Sequence, residues 1–76
     1  MQLDTLLTDV TESAPGTSRR ARMIRLTSML NERHGAERPI TLKGVEKWFD
    51  RKAIPGPWLM KIADLRTPPI NLSRYS

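Results

Sequence analysis

The sequence predicts an all-α domain of four helices followed by an irregular C-terminal tail, and three observations carry that expectation. Apolar residues recur at helical spacing in four separate stretches. Capping and breaking residues fall between those stretches, at Ala14-Pro15-Gly16, Gly35, Pro39 to Thr41 and Pro55 to Pro57. The nearest candidate for a strand, Pro69 to Leu72, is too short to carry a sheet.

The first element is read from Leu3, Leu6, Leu7 and Val10, which stand at i, i+3, i+4 and i+7 and predict an amphipathic helix over 3–12. Thr17 or Ser18 is suited to cap a longer helix through RRARMIRLTSMLNERH, with Gly35 as its stop and Arg33 and His34 near the negative end of its dipole. Met23, Ile24, Leu26, Thr27 and Leu30 make its apolar face, and Arg19, Arg22, Arg25 and Arg33 lie mostly off it. Pro39 turns Arg38 away from helix, and Thr41 caps a third helix over about 42–52. There Leu42, Val45 and Phe49, joined by Trp48, look inward and leave Lys43, Glu46, Lys47, Asp50 and Arg51 outside. Ala53-Ile54-Pro55-Gly56 turns the chain. Pro57 suits a first helical position, and WLMKIADL continues as a fourth helix with Leu59, Ile62 and Ala63 on the core side and Trp58 and Leu65 at its margin. TPPINLSRYS has adjacent prolines and no stripe, which divides the chain into a domain over 1–66 and an extended or disordered tail over 67–76.

A chain of 76 residues has room for one core, since a domain of this size buries only about 60% of the surface its unfolded chain exposes. It has no cysteine, so packed apolar side chains or a partner must hold it. No apolar run approaches the roughly 20 residues of a membrane span, and MQLDTLLTDVTES lacks the basic start of a secretory signal, so a cytoplasmic place is expected. The net charge of +5 is unevenly spread: residues 1–18 carry −3, from Asp4, Asp9 and Glu12, and residues 19–76 carry +8. A basic body of this kind attracts polyanions, nucleic acid and anionic lipid alike.

Residues for catalysis are scarce. His34 is the only histidine and reads as a surface residue that suits its helix end; no His/Asp/Glu set has metal spacing, and the four glycines are dispersed instead of forming a phosphate-cradling loop. No enzyme, cofactor, metal or small-molecule substrate is expected. The cations say more. Arg19, Arg20, Arg22 and Arg25 crowd the positive end of the long helix, opposing its dipole by a few tenths of a kcal/mol each, which an external anion such as a DNA phosphate would relieve. On the third helix Lys43 and Lys47 are i, i+4 neighbours and Arg51 continues the row, although Glu46 and Asp50 are placed to pair with the two lysines. Gly44 is costly inside a helix, by about 1 kcal/mol against Ala, and permits close approach of a DNA groove or of neighbouring protein. Trp48, Phe49 and Trp58, at helical spacing beside Val45 and Leu59, read as core and not as stacking platforms.

The run Gly44-Val45-Glu46-Lys47-Trp48-Phe49-Asp50-Arg51, followed by Ile54-Pro55 and Lys61-Ile62-Ala63, resembles the recognition-helix segment of the lambda-repressor-like helix-turn-helix family of phage repressors and Cro-type regulators. The likeness spans the 23 residues from Thr41 to Ala63. Two features depart from the family: the connector 36–40 is long, and Phe49 stands where Glu usually follows Trp. The resemblance implies a compact helix-turn-helix domain acting as a sequence-specific regulator, a repressor, on double-stranded DNA as a homodimer in the nucleoid. It implies base-edge contacts from Thr41, Lys43, Gly44 and Lys47, with Val45 and Trp48 holding the helix to the core, and phosphate contacts from Arg19, Arg20, Arg22, Arg38, Arg51 and Lys52. Lysine suits guanine O6 and N7, so a G-containing half-site is expected. The same fold serving as an adaptor, its basic face docked on an acidic protein, is the alternative from another class, and a non-specific RNA or nucleoid binder is a third.

Overall fold

The computed structural model describes residues 2–75, so residues 1 and 76 of the expected domain and tail lie outside it. Four helices follow one another: α1 (Leu3–Thr11), α2 (Arg19–His34), α3 (Leu42–Asp50) and α4 (Gly56–Ala63), with a short 3-10 turn at Leu72–Tyr75 and no strand among the described residues. The all-α expectation holds.

The stripe of α1 is buried as its spacing predicts, Leu3, Leu6, Leu7 and Val10 all facing inward. The helix ends at Thr11 because Glu12 turns left-handed (φ 51°), and Thr11 is satisfied in the interior by donating to Leu7 O at 2.7 Å. Of the two candidate caps for α2 it is Ser18 that works, its hydroxyl accepting from Ala21 N at 3.1 Å. Leu26 and Leu30 are the buried residues of this helix, with Met23 and Met29 packed beside them. Ile24, expected on the same face, is 48% exposed. It stands two residues from Leu26, nearly opposite it on a helix that turns 100° per residue, so a core centred on Leu26 and Leu30 leaves it outside.

Gly35 ends α2 in a right-handed conformation, with no left-handed cap; its N–H returns to Asn31 O at 2.9 Å, and a β-carbon there would collide with that oxygen. Close approach is what selects glycine at this position. Thr41 then caps α3, accepting from Gly44 N at 3.2 Å, and Val45, Trp48 and Phe49 are buried. The helix stops two residues before the expected Lys52. Lys52 takes the left-handed conformation (φ 55°), and the paired hydrogen bonds Ala53 N to Trp48 O (2.9 Å) and Lys52 N to Phe49 O (3.3 Å) close the end. Pro57 sits second in α4, one place later than expected, where its missing N–H is also harmless. The Trp48 and Trp58 rings meet at 5.4 Å and 43°, joining α3 to α4, and the Lys61 ammonium lies 4.7 Å over Trp58.

The tail departs from expectation. It is irregular from Arg66 to Asn71, but Ile70 N donates to Ala63 O at 3.0 Å and the chain then folds back on α1. Tyr75 is part of the core, 7% exposed, its hydroxyl donating to Asp9 Oδ2 at 2.5 Å and its carbonyl accepting from Gln2 N. Arg66 and Glu12 form an ion pair that ties the start of the tail to the end of α1. A short domain gains from every apolar residue it can recruit, and the tail supplies Ile70, Leu72 and Tyr75.

Candidate nucleic-acid interface

α3 is built to show one face. Val45 is fully buried and Trp48 is 8% exposed, while Lys43, Lys47 and Asp50 stand exposed at i, i+4 and i+7 on the opposite side. Glu46 does not pair with Lys43, nor Asp50 with Lys47. Glu46 instead reaches α2, where Arg20 Nη1 meets its Oε1 at 3.2 Å, and none of the four ion pairs among the described residues involves Lys43, Lys47, Asp50 or Arg51. Both lysines therefore keep all three donors for an outside acceptor. Their separation along the helix axis is about 6 Å, close to two base steps of a DNA strand.

Thr41 is exposed, but its hydroxyl oxygen is engaged in capping, which leaves the O–H proton to donate. Gly44 is half-buried, and its neighbour is protein: a β-carbon would stand 3.0 Å from Ile40 Cδ1. Of the two reasons for glycine here, tight packing within the chain is the one observed. Arg51 is exposed beside a shallow cleft that also takes in Lys47, Trp48, Ile54 and Pro55. Lys52 is exposed just beyond it, and Arg38 is exposed in the connector with no ion pair among the described residues.

The five arginines of α2 do not share a face. Arg19 braces three elements: Nε pairs with Asp4 Oδ1 at 3.2 Å, Nη2 donates to Phe49 O at 3.3 Å, and the guanidinium lies 5.8 Å over the Phe49 ring. Arg20 points to α3 through Glu46. Arg25 points to α1, its Nε donating to Thr11 O at 2.9 Å, and Arg22, one turn earlier, lies on that same flank, half-buried with its Nε unpartnered. Arg33 pairs with Asp64 at 3.5 Å. Of the phosphate candidates, Arg51 shares a cleft with Lys47, Arg38 lies in the connector that leads into α3, and Lys52 lines a different cleft, with Arg19, Phe49 and the start of α1; Arg20 reaches the α3 side through an exposed ion pair with Glu46, a pairing worth little in water. Arg19 and Arg22 are placed away from the Lys43 and Lys47 face, the first with two of its donors engaged by Asp4 and Phe49 O.

Sequence reasoning missed Asn31. Its side-chain amide holds both backbone groups of Ile40, Nδ2 to Ile40 O and Ile40 N to Oδ1, each at 2.8 Å. The signal was available: asparagine is a poor helix former that competes for backbone hydrogen bonds, and here it sits in the last turn before a connector. His34, expected at the surface, is half-buried, and its Nε2 has no partner.

Among the described residues no three His, Asp or Glu side chains gather as a metal site, and no helix is long and apolar enough to cross a membrane. Comparison with protein-family models, curated proteins and solved structures gives no match. The functional reading therefore stands on the geometry of α3 and its surroundings.

Proposed function

We propose that this chain is a small sequence-specific DNA-binding regulator of phage or bacterial type, a repressor, that lays α3 in the major groove and binds a two-fold operator as a homodimer in the nucleoid. The observation that carries the reading is the outer face of α3, where Lys43 and Lys47 are exposed and free of intramolecular ion pairs while Val45 and Trp48 fasten the other side. An α-helix is about 10–12 Å across with its side chains, which suits a groove about 12 Å wide, and the nine residues of α3 give it about 13 Å of length to lie there. Lys43, Lys47 and Thr41 are placed to meet base edges, and Arg38, Arg51 and Lys52 to meet phosphates on either side. The likeness of Thr41 to Ala63 to lambda-repressor-like recognition segments supports the same reading. A single small module buries little surface on DNA, which favours two half-sites.

Selection of bound sequences from a random duplex library tests it, followed by fluorescence-anisotropy titrations at two salt concentrations. A palindromic motif, with affinity that falls steeply with salt, is the expected result. Lys47→Ala should relax preference at one position of the motif, whereas Arg51→Ala should weaken binding to every sequence and lower the salt slope by about 1. Equal losses on all duplexes from both substitutions would refute base reading by Lys47. Absence of any binding at low salt would turn the function toward an acidic protein partner.

A further inference from the structure

α2 and α3 are joined by residues 35–41, a connector that must be held if α3 is to meet a ligand at one angle. Hydrophobic contact fixes how deep α3 sits, but a short helix resting on Val45, Trp48 and Phe49 can still pivot about that contact. The pivot is checked from the connector. Asn31, in the last turn of α2, closes two hydrogen bonds of 2.8 Å on the two backbone groups of Ile40, and Ile40 lays its δ-methyl against α3 at Gly44. One amide of α2 is thereby linked to the first turn of α3, which carries Lys43.

We propose that Asn31 is the positioning residue of the α3 surface, acting through Ile40 to set the angle at which Lys43 and Lys47 are presented, an inference that rests on the DNA reading above. The angle matters more for base edges than for phosphates. A rotation of about 10° about that contact moves the backbone at Lys43, about 6 Å along the axis from it, by about 1 Å, roughly twice the spread between the shortest and longest good hydrogen bonds, while attraction between a lysine and the phosphate backbone changes little over that distance. Loss of the clamp should therefore lower specificity and spare non-specific affinity.

The chain has no cysteine, so spin labels on cysteines introduced at Glu32 and Asp50, both exposed, report the α2–α3 distance without background. In Asn31→Ala the distance distribution should broaden, the ratio of operator to random-duplex affinity should fall about tenfold, and random-duplex affinity should stay within about twofold. Asn31→Asp keeps the acceptor for the Ile40 N–H but sets a carboxylate against its carbonyl; it should give the same shifts and carries the test if the alanine variant does not fold. An unchanged distance distribution, or operator and random affinities that fall together, would overturn the proposal. A wild-type protein without sequence preference would overturn the DNA reading instead, and the distance distribution would still decide whether Asn31 orients α3.

Discussion

Truncating Tyr75 tests whether the last turn of the chain belongs to the folded unit. The ring is buried in the core cluster and its hydroxyl reaches Asp9 at 2.5 Å, so two contributions can be separated. Removing the whole side chain forfeits a buried aromatic, about 3–5 kcal/mol by comparison with Phe and Trp truncations. Tyr75→Phe removes only the hydroxyl. Asp9 is exposed and can be rehydrated, so that substitution should cost about 0.5–1.5 kcal/mol. A domain of this length is stable by about 4–11 kcal/mol, and Tyr75→Ala should therefore remove roughly a quarter of it or more. Urea unfolding followed by the fluorescence of Trp48 and Trp58 reads both values. The two proteins should also part at alkaline pH. The hydrogen bond to Asp9, then burial, then the Asp9 charge raise the Tyr75 hydroxyl above its ordinary 10.0, with Arg74 opposing. The folded state thus keeps this proton to higher pH than the unfolded chain. The resulting stabilisation is complete below about pH 10 and is lost as pH climbs through the folded value, a fall that Tyr75→Phe should lack. An unmoved midpoint in Tyr75→Ala, or a phenylalanine variant as weak as the alanine one, would refute the docking of the tail.

Trp48→Ala should cost about 3–5 kcal/mol, a large part of the stability of the domain, because the ring joins α3 to α4 through Trp58; a mutant that keeps its melting temperature would overturn that core assignment. Gly35→Ala should cost about 1–3 kcal/mol, since its β-carbon would press on the Asn31 carbonyl and force the end of α2 to shift, and an unchanged urea midpoint would show that the turn yields freely.

Much of the fold could be read from local pattern, because local pattern makes it. The leucine stripe of α1, the cap at Thr41 and the inward set Val45, Trp48 and Phe49 each depend on neighbours three or four residues away. What escaped depends on distant partners. Tyr75 has no periodic context, and its hydroxyl finds an aspartate 66 residues away. Glu46 looked like the partner of Lys43 by spacing within one helix, yet it meets Arg20 of another, which frees the lysine and uses the arginine. The arginine cluster looked like one patch because its members are adjacent in sequence; a helix places Arg20 and Arg25 on different flanks, and the acids and carbonyls of α1 and α3 divide them. The candidate site was legible as far as α3 itself, while the amide that orients it was not.

The hydrogen bond from Gln2 N to Tyr75 O joins the two ends of the described chain and so makes a ring of its backbone. Bringing residues this far apart in sequence together costs about 4 kcal/mol of closure entropy, the largest such cost available in a protein of this length. The contact therefore forms only once the helices between have packed, and it is among the first to open when they loosen. A short peptide linker across that seam would spare the chain this entropy, so residues 2–75 closed into a ring there should withstand heat better than the same residues left open, with no change to any core side chain.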